Sequence, residues 1–182
     1  WEWKDAPEVS MSAEKYQLLK NAFQKAHDND VFITIASGNE RKDVYSINRW
    51  NDIGNIDLSS SLPTLFSRSF GNIAAVSSSN ARGALSSYSN GGIDASIAAP
   101  GGDAGVRIAT EFDNEGTPTK YELIPRSILS TVPTGTGKNF DKNYDFSQGT
   151  SMAAPMITGA AALIRAANSS MRSIHVRKRL MS

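Results

Sequence analysis

The chain has 182 residues, 40% of them hydrophobic, a formal net charge of +1 and no cysteine. That length and apolar content suffice for one buried core, the near-neutral balance argues against a nucleic-acid partner, and the lack of thiols excludes disulfides and cysteine-based zinc sites. No apolar run reaches the roughly 18 residues that a transmembrane segment needs, and the basic stretch Arg172 to Arg179 reads as a solvated helix face.

In chain order, Ala13 to His27 places Tyr16, Leu19, Ala22, Phe23 and Ala26 at spacings of three and four, the pattern of an amphipathic helix, and Asp28-Asn29-Asp30 ends it. Val31 to Ala36 follows as a continuous, mostly apolar and β-branched run. Such a run predicts a strand covered on both faces, as in a parallel sheet. It breaks at Ser37-Gly38-Asn39-Glu40, and a long polar and aromatic segment with Tyr45, Trp50 and Phe66 continues to Arg68.

Asn72 to Ser79 reads as a second buried strand leaving into a polar turn, and Gly83 to Asn90 as a loop and edge segment. Ile93 to Ala99 is expected to form another strand, ended by Pro100-Gly101. Val106 to Phe112 and Tyr121 to Ile124 flank Asp113-Asn114-Glu115-Gly116, so residues 103–126 are expected to form a hairpin inserted into the domain. Ile128 to Thr131 and Tyr144 to Ser147 read as two short strands before the last two helices.

The octet Gln148-Gly149-Thr150-Ser151-Met152-Ala153-Ala154-Pro155 carries the chemistry. It joins a polar glycine loop to the run Met156 to Ile164, which is apolar or small on nearly every face and so predicts a buried helix. A hydroxyl in the first turn of a helix lies beside unpaired N–H groups and the positive end of the dipole, where an oxyanion is stabilised. Pro155 is expected early enough in that helix for its missing N–H to cost little. Taken alone, Ser151 reads equally as a helix-start residue after a capping Thr150, and Asn39 as a turn residue after a strand.

Together, the octet and the upstream Gly38-Asn39-Glu40 resemble the active-site serine and oxyanion segments of the subtilisin-like serine proteases, the subtilase family. The resemblance extends from about Ala13 to Leu180, including Ala98-Ala99-Pro100-Gly101 and a closing helix with Ile174, Val176, Arg177 and Leu180. It implies an α/β fold with a doubly wound, mostly parallel sheet and helices on both faces, whose N-terminal strands are not in this chain. It also implies a secreted or cell-surface, bacterial serine endopeptidase acting on protein or peptide substrates. Ser151 would be the nucleophile, and Asn39 with the Ser151 N–H the oxyanion hole. Ala36, Gly38 and Thr150 would belong to the substrate site.

A serine hydroxyl needs a base, and the family's Asp and His motifs lie upstream of the oxyanion strand. Neither is found between Trp1 and Ser182, where His27 and His175 read as helix-end or surface residues and Asp94 and Asp145 as strand-edge carboxylates. The chain is therefore expected to be the C-terminal portion of one catalytic domain, completed by an upstream segment carrying Asp and His. The alternative is a non-catalytic module that binds extended peptides by strand addition. The resemblance further implies structural Ca2+, with Asp94 the candidate ligand, and no cofactor required for catalysis.

Overall fold

The computed structural model describes residues 13–41, 66–67, 69–92, 95–137 and 142–182. Tyr45, Trp50 and Asp94, together with most of the segment after Asn39, lie outside the described residues.

Helix α1 (Ala13–Asp28) leads into strand β1 (Ile33–Ala36), which pairs in parallel with β2 (Ile73–Ser79), and β2 in turn pairs in parallel with β3 (Ile97–Pro100). The register runs Ile33 opposite Ile73 through Ala36 opposite Val76, so the C-terminal ends of β1 and β2 finish side by side. Side chains alternate between the faces of a strand. Ile33, Ile35 and Ile73 face Tyr16, Leu19 and Phe23 of α1 together with Phe66 and Phe70, where the Phe23 and Phe66 rings lie 4.4 Å apart. Val76, Ala99 and Ala36 face the opposite side, against helix α2 (Thr150–Ala167) through Ala153, Ala154 and Ile157. The Thr34 and Thr158 hydroxyls meet at 2.7 Å on that same side. Helices therefore cover both faces of a parallel sheet, the α/β doubly wound arrangement.

Two separate antiparallel pairs follow in the chain, β4 (Asp103–Phe112) with β5 (Pro118–Arg126), and β6 (Ile128–Thr131) with β7 (Tyr144–Ser147). The turn between β4 and β5 closes on Asp113, whose Oδ1 accepts the N–H groups of Glu115 and Thr117 at 2.9 and 2.8 Å. Asp145 likewise makes a local hydrogen bond, accepting the Phe146 N–H at 2.8 Å.

Three expectations change. Strand β3 begins at Ile97 and retains Pro100 as its last residue; an edge strand tolerates a residue with no N–H to donate. Helix α2 is buried on one face only: Thr150, Ala153, Ala154, Ile157 and Ala161 are covered, whereas Leu163 is 74% and Met156 44% exposed. The three-stranded sheet covers one side of that helix, and among the described residues nothing covers the other. Pro155 lies a turn deeper than expected, because α2 starts at Thr150 and its i to i−4 bonding begins with Ala153 N–H to Gly149 O.

The last helix, α3 (Ser173–Leu180), is fixed from the far end of the sheet. Asp30, with a φ of 57°, turns the chain between α1 and β1 and accepts both the N–H and the hydroxyl of Ser173 at 2.7 Å. Arg165 of α2 pairs with the same carboxylate. Of the basic residues on α3, Arg177 departs from the expected solvated face: it turns inward to Ser67 O and Ser96 Oγ at 3.4 and 3.3 Å, beside the buried Val176.

Candidate functional site

The site forms where β1 ends and α2 begins. Beyond Ala36 the backbone leaves the strand through Ser37 and turns at Gly38, whose φ of 102° belongs to the left-handed half of conformational space. A Cβ at Gly38 would sit 2.5 Å from both Asn90 Nδ2 and Glu40 Oε2, so only glycine fits. The turn delivers the exposed Asn39 to the N-terminus of α2.

There Asn39 Oδ1 accepts the Thr150 N–H at 2.9 Å and the Thr150 hydroxyl at 3.0 Å. A backbone N–H only donates, so the atom facing it is the amide oxygen, and the Asn39 NH2 is turned the other way. The Thr150 hydroxyl also accepts the Gly38 N–H at 3.2 Å, closing a small ring of hydrogen bonds between loop and helix.

This arrangement changes the expected role of Thr150 at the helix start. The N-cap position belongs to Gly149, and Thr150 is the first helical residue, fully buried. The capping oxygen comes instead from Asn39, across 111 residues of sequence. With the Thr150 N–H occupied and helical bonding starting at Met152, the Ser151 N–H is a first-turn donor with no acceptor among the described residues.

Gly149 adjoins both groups, the Asn39 amide and the Ser151 N–H. Its φ of 151° disfavours any side chain, and a Cβ there would lie 3.5 Å from Asn39 Nδ2 and 3.7 Å from Ser151 N. One point in space therefore lies within 3.7 Å of the Asn39 amide, both its nitrogen and its oxygen, and of the Ser151 N–H. The Ser151 side chain is exposed beside them. N–H donors at a positive helix terminus, next to a serine hydroxyl, are the kind of group that can stabilise an oxyanion.

Other candidate residues are distributed around this centre. Ala36 is half-buried at the end of β1 and packs against the α2 side of the core; Gly38 is half-buried in the turn. His27 lies at the other end of the strands, where its Nδ1 meets Asn72 Oδ1 at 3.0 Å, just before β2 starts. His175 is exposed on α3, whose first residue is tied to Asp30 at that same far end. Among the described residues no group of three or more His, Asp or Glu forms a metal site.

Sequence reasoning read the serine-rich segments after β2 only as a polar turn and edge. They form a buried hydrogen-bonded layer under the site. Ser78 Oγ meets Ser86 Oγ and Tyr88 Oη at 2.8 Å, and Tyr88 Oη donates toward Gly101 O and Gly102 O at 2.9 and 2.8 Å. Gly101 O in turn accepts the Gly149 N–H at 2.9 Å, linking this layer to the start of α2. The available signal was the density of serines around Asn90, too many for one solvated loop.

Residues 4–182 match the Peptidase S8 family, described as the subtilase family. An extracellular protease of Xanthomonas campestris pv. campestris is 28% identical over 147 residues, which is 81% of this chain but 18% of that protein. A protease from Pseudoalteromonas arctica PAMC 21717 superposes with a TM-score of 0.59 at 27% identity, over 94% of this chain and 40% of its own. The crystal structure of a lanthipeptide protease shares the fold with a TM-score of 0.64 at 23% identity, over 93% of this chain and 48% of that one. The chain thus spans less than half the length of each of these relatives. Across almost its whole length, it belongs to the subtilase family.

Proposed function

We propose that this chain is the C-terminal, nucleophile-bearing portion of a serine endopeptidase catalytic domain. The observation that supports the reading is the locked Asn39 amide: Thr150 occupies its oxygen, and its NH2 and the Ser151 nitrogen both lie within 3.7 Å of the position a Cβ at Gly149 would take.

In the proposed reaction Ser151 Oγ attacks the peptide carbonyl carbon while a base removes the hydroxyl proton. The carbonyl oxygen becomes an oxyanion between Asn39 Nδ2 and Ser151 N. Collapse of that intermediate breaks the C–N bond, the base returns its proton to the departing amine, and water then hydrolyses the acyl-enzyme. The chemistry uses a hydroxyl, a base and amide donors and calls for no cofactor. Structural Ca2+ is part of the proposal only through Asp94. Ala36 and Gly38 would flank the substrate residue before the scissile bond. Thr150, with its hydroxyl inside the Asn39 ring of hydrogen bonds, would serve the site by holding Asn39.

The base and its orienting carboxylate are proposed to come from an upstream segment of the same domain. The far-end locations of His27 and His175 support this, and so does the bare apolar side of α2, with Met156 and Leu163 exposed. An upstream segment packed there would bury that stripe and bring its His toward Ser151. Action outside the cell is supported by the relative named an extracellular protease, and among the described residues no helix is long and apolar enough to cross a membrane.

A fluorophosphonate probe tests the reading on the full-length protein. Labelling at Ser151 that disappears in Ser151→Ala is expected. No labelling of the complete domain would leave the peptide-binding module in place of the enzyme.

A further inference from the structure

The loop carrying Asn39 is gripped from beneath by Asn90, which is wholly buried. Its hydrogen bonds reach the neighbours of Asn39 on both sides. The Asn90 N–H donates to Gly38 O at 2.9 Å. Its Nδ2 donates to Ser37 O at 2.9 Å and to Glu40 Oε2 at 2.7 Å, and its Oδ1 accepts the Glu40 N–H at 3.2 Å. A carbonyl must face the NH2 and an N–H must face the oxygen, so this amide has a single orientation.

Asn90 is anchored in turn from the sheet. Its carbonyl receives the hydroxyls of Ser37, Ser77 and Ser89 at 3.1, 2.7 and 2.9 Å, and Ser77 belongs to β2. The missing side chain of Gly38 is the complement of this grip, since any Cβ there would collide with Asn90 Nδ2.

Oxyanion stabilisation depends on donors already aimed before charge develops. The segment Gly38 to Glu40 lies beyond the last ladder bond, Ser37 N–H to Val76 O at 3.0 Å, and among the described residues its exposed Asn39 meets α2 through the Thr150 contacts. Two anchors, one on the side-chain oxygen and one on the flanking backbone, are what a rigid amide needs. We infer that Asn90 is a positioning residue for the oxyanion step: it sets the backbone on both sides of Asn39 so that the free NH2 stands preorganised beside Ser151.

This inference rests on the reading of Asn39 as an oxyanion donor, and the test separates the two. The experiment compares kcat and KM on a chromogenic peptide for the full-length protein and its Asn39→Ala, Asn90→Asp and doubly substituted variants. Asn90→Asp keeps the shape and the Oδ1 acceptor while removing the NH2. It is expected to lower kcat by about 10- to 100-fold with KM within about twofold. Added to Asn39→Ala, it is expected to cost less than about threefold further, because both changes act on one device.

An unchanged kcat in Asn90→Asp, or an equal loss in both backgrounds, overturns the positioning role. If Asn39→Ala itself leaves kcat intact, the oxyanion reading fails instead. Should Asn90→Asp not fold, Ser77→Ala loosens the Asn90 carbonyl and leaves its amide in place. That variant is expected to lose about two- to fivefold in kcat at constant KM. Unaltered kcat there overturns the inference as well.

Discussion

Asn39 Oδ1 accepts both polar hydrogens of Thr150, the backbone N–H at 2.9 Å and the hydroxyl at 3.0 Å. The pair serves two purposes at once. It caps α2, which has no side-chain cap of its own, and it orients the Asn39 amide, whose NH2 and the Ser151 nitrogen both lie within 3.7 Å of the position a Cβ at Gly149 would take.

Removing the donor and loosening it should therefore differ in degree. On the proposed reading, Asn39→Ala is expected to lower kcat by about 10²–10³-fold with little change in KM, the usual cost of removing one oxyanion-hole donor. Thr150→Val retains the backbone contact but loses the hydroxyl. Of the hydroxyl's two hydrogen bonds, to Asn39 Oδ1 and from the Gly38 N–H, the one that orients the amide contributes about 0.5–1.5 kcal/mol, a loss of up to roughly tenfold. Steady-state kinetics on the full-length protein checks both. Equal losses would mean that Thr150 does more than orient Asn39.

Gly149 provides a steric test of the same site. Its φ of 151° disfavours a side chain, and a methyl group would touch Asn39 Nδ2, Asn39 Oδ1 and Ser151 N at 3.5, 3.7 and 3.7 Å. Gly149→Ala is expected to lower kcat at least as much as Thr150→Val and to slow fluorophosphonate labelling of Ser151. Labelling at the unaltered rate would show that the oxyanion forms elsewhere.

The Asp30 contacts make part of the stability depend on pH. Hydrogen bonds from the Ser173 hydroxyl and N–H, then the Arg165 charge, outweigh desolvation and hold the Asp30 carboxyl below its ordinary pKa of about 3.9. A depressed folded-state pKa means that the contribution is present above the unfolded value and disappears as pH falls through the folded one. Asp30→Asn is thus expected to lower Tm at pH 7, with the deficit shrinking below about pH 4. A deficit independent of pH would assign the effect to shape instead of charge.

The uncovered side of α2 gives a test of the proposed upstream partner. Leu163 is 74% exposed and Met156 44%. In the full-length protein, Leu163→Glu is expected to lower Tm markedly and suppress Ser151 labelling, since a carboxylate would be buried under the packed segment. A surface position would tolerate the change within about 0.5 kcal/mol. Neutral behaviour would show that nothing packs on that stripe.

Much of the scaffold was legible because its signals are local. The three- and four-residue spacing of Tyr16, Leu19 and Phe23 marks α1, and the apolar runs at Ile33 and Ile73 mark the parallel strands. The Asp113 to Gly116 turn marks the β4 and β5 hairpin, although residue types alone left the edge of β3 misplaced by several positions. Hydropathy also overstated the burial of α2, because composition shows that a helix is apolar on every side but not which sides another layer reaches.

By itself, the sequence determined which groups stand at strand ends and helix starts: Ser151 heading an apolar helix and Asn39 ending a buried strand, both set by nearest-neighbour chemistry and periodicity. Only the tertiary structure decided that Asn39 caps that helix from 111 residues away, that Thr150 lies beneath the site, and that Asn90 grips the loop. The reason is physical. Which donor meets which acceptor depends on the parallel register of β1 and β2 and on the close passage of glycine backbones, and neither is encoded in any one stretch of residues.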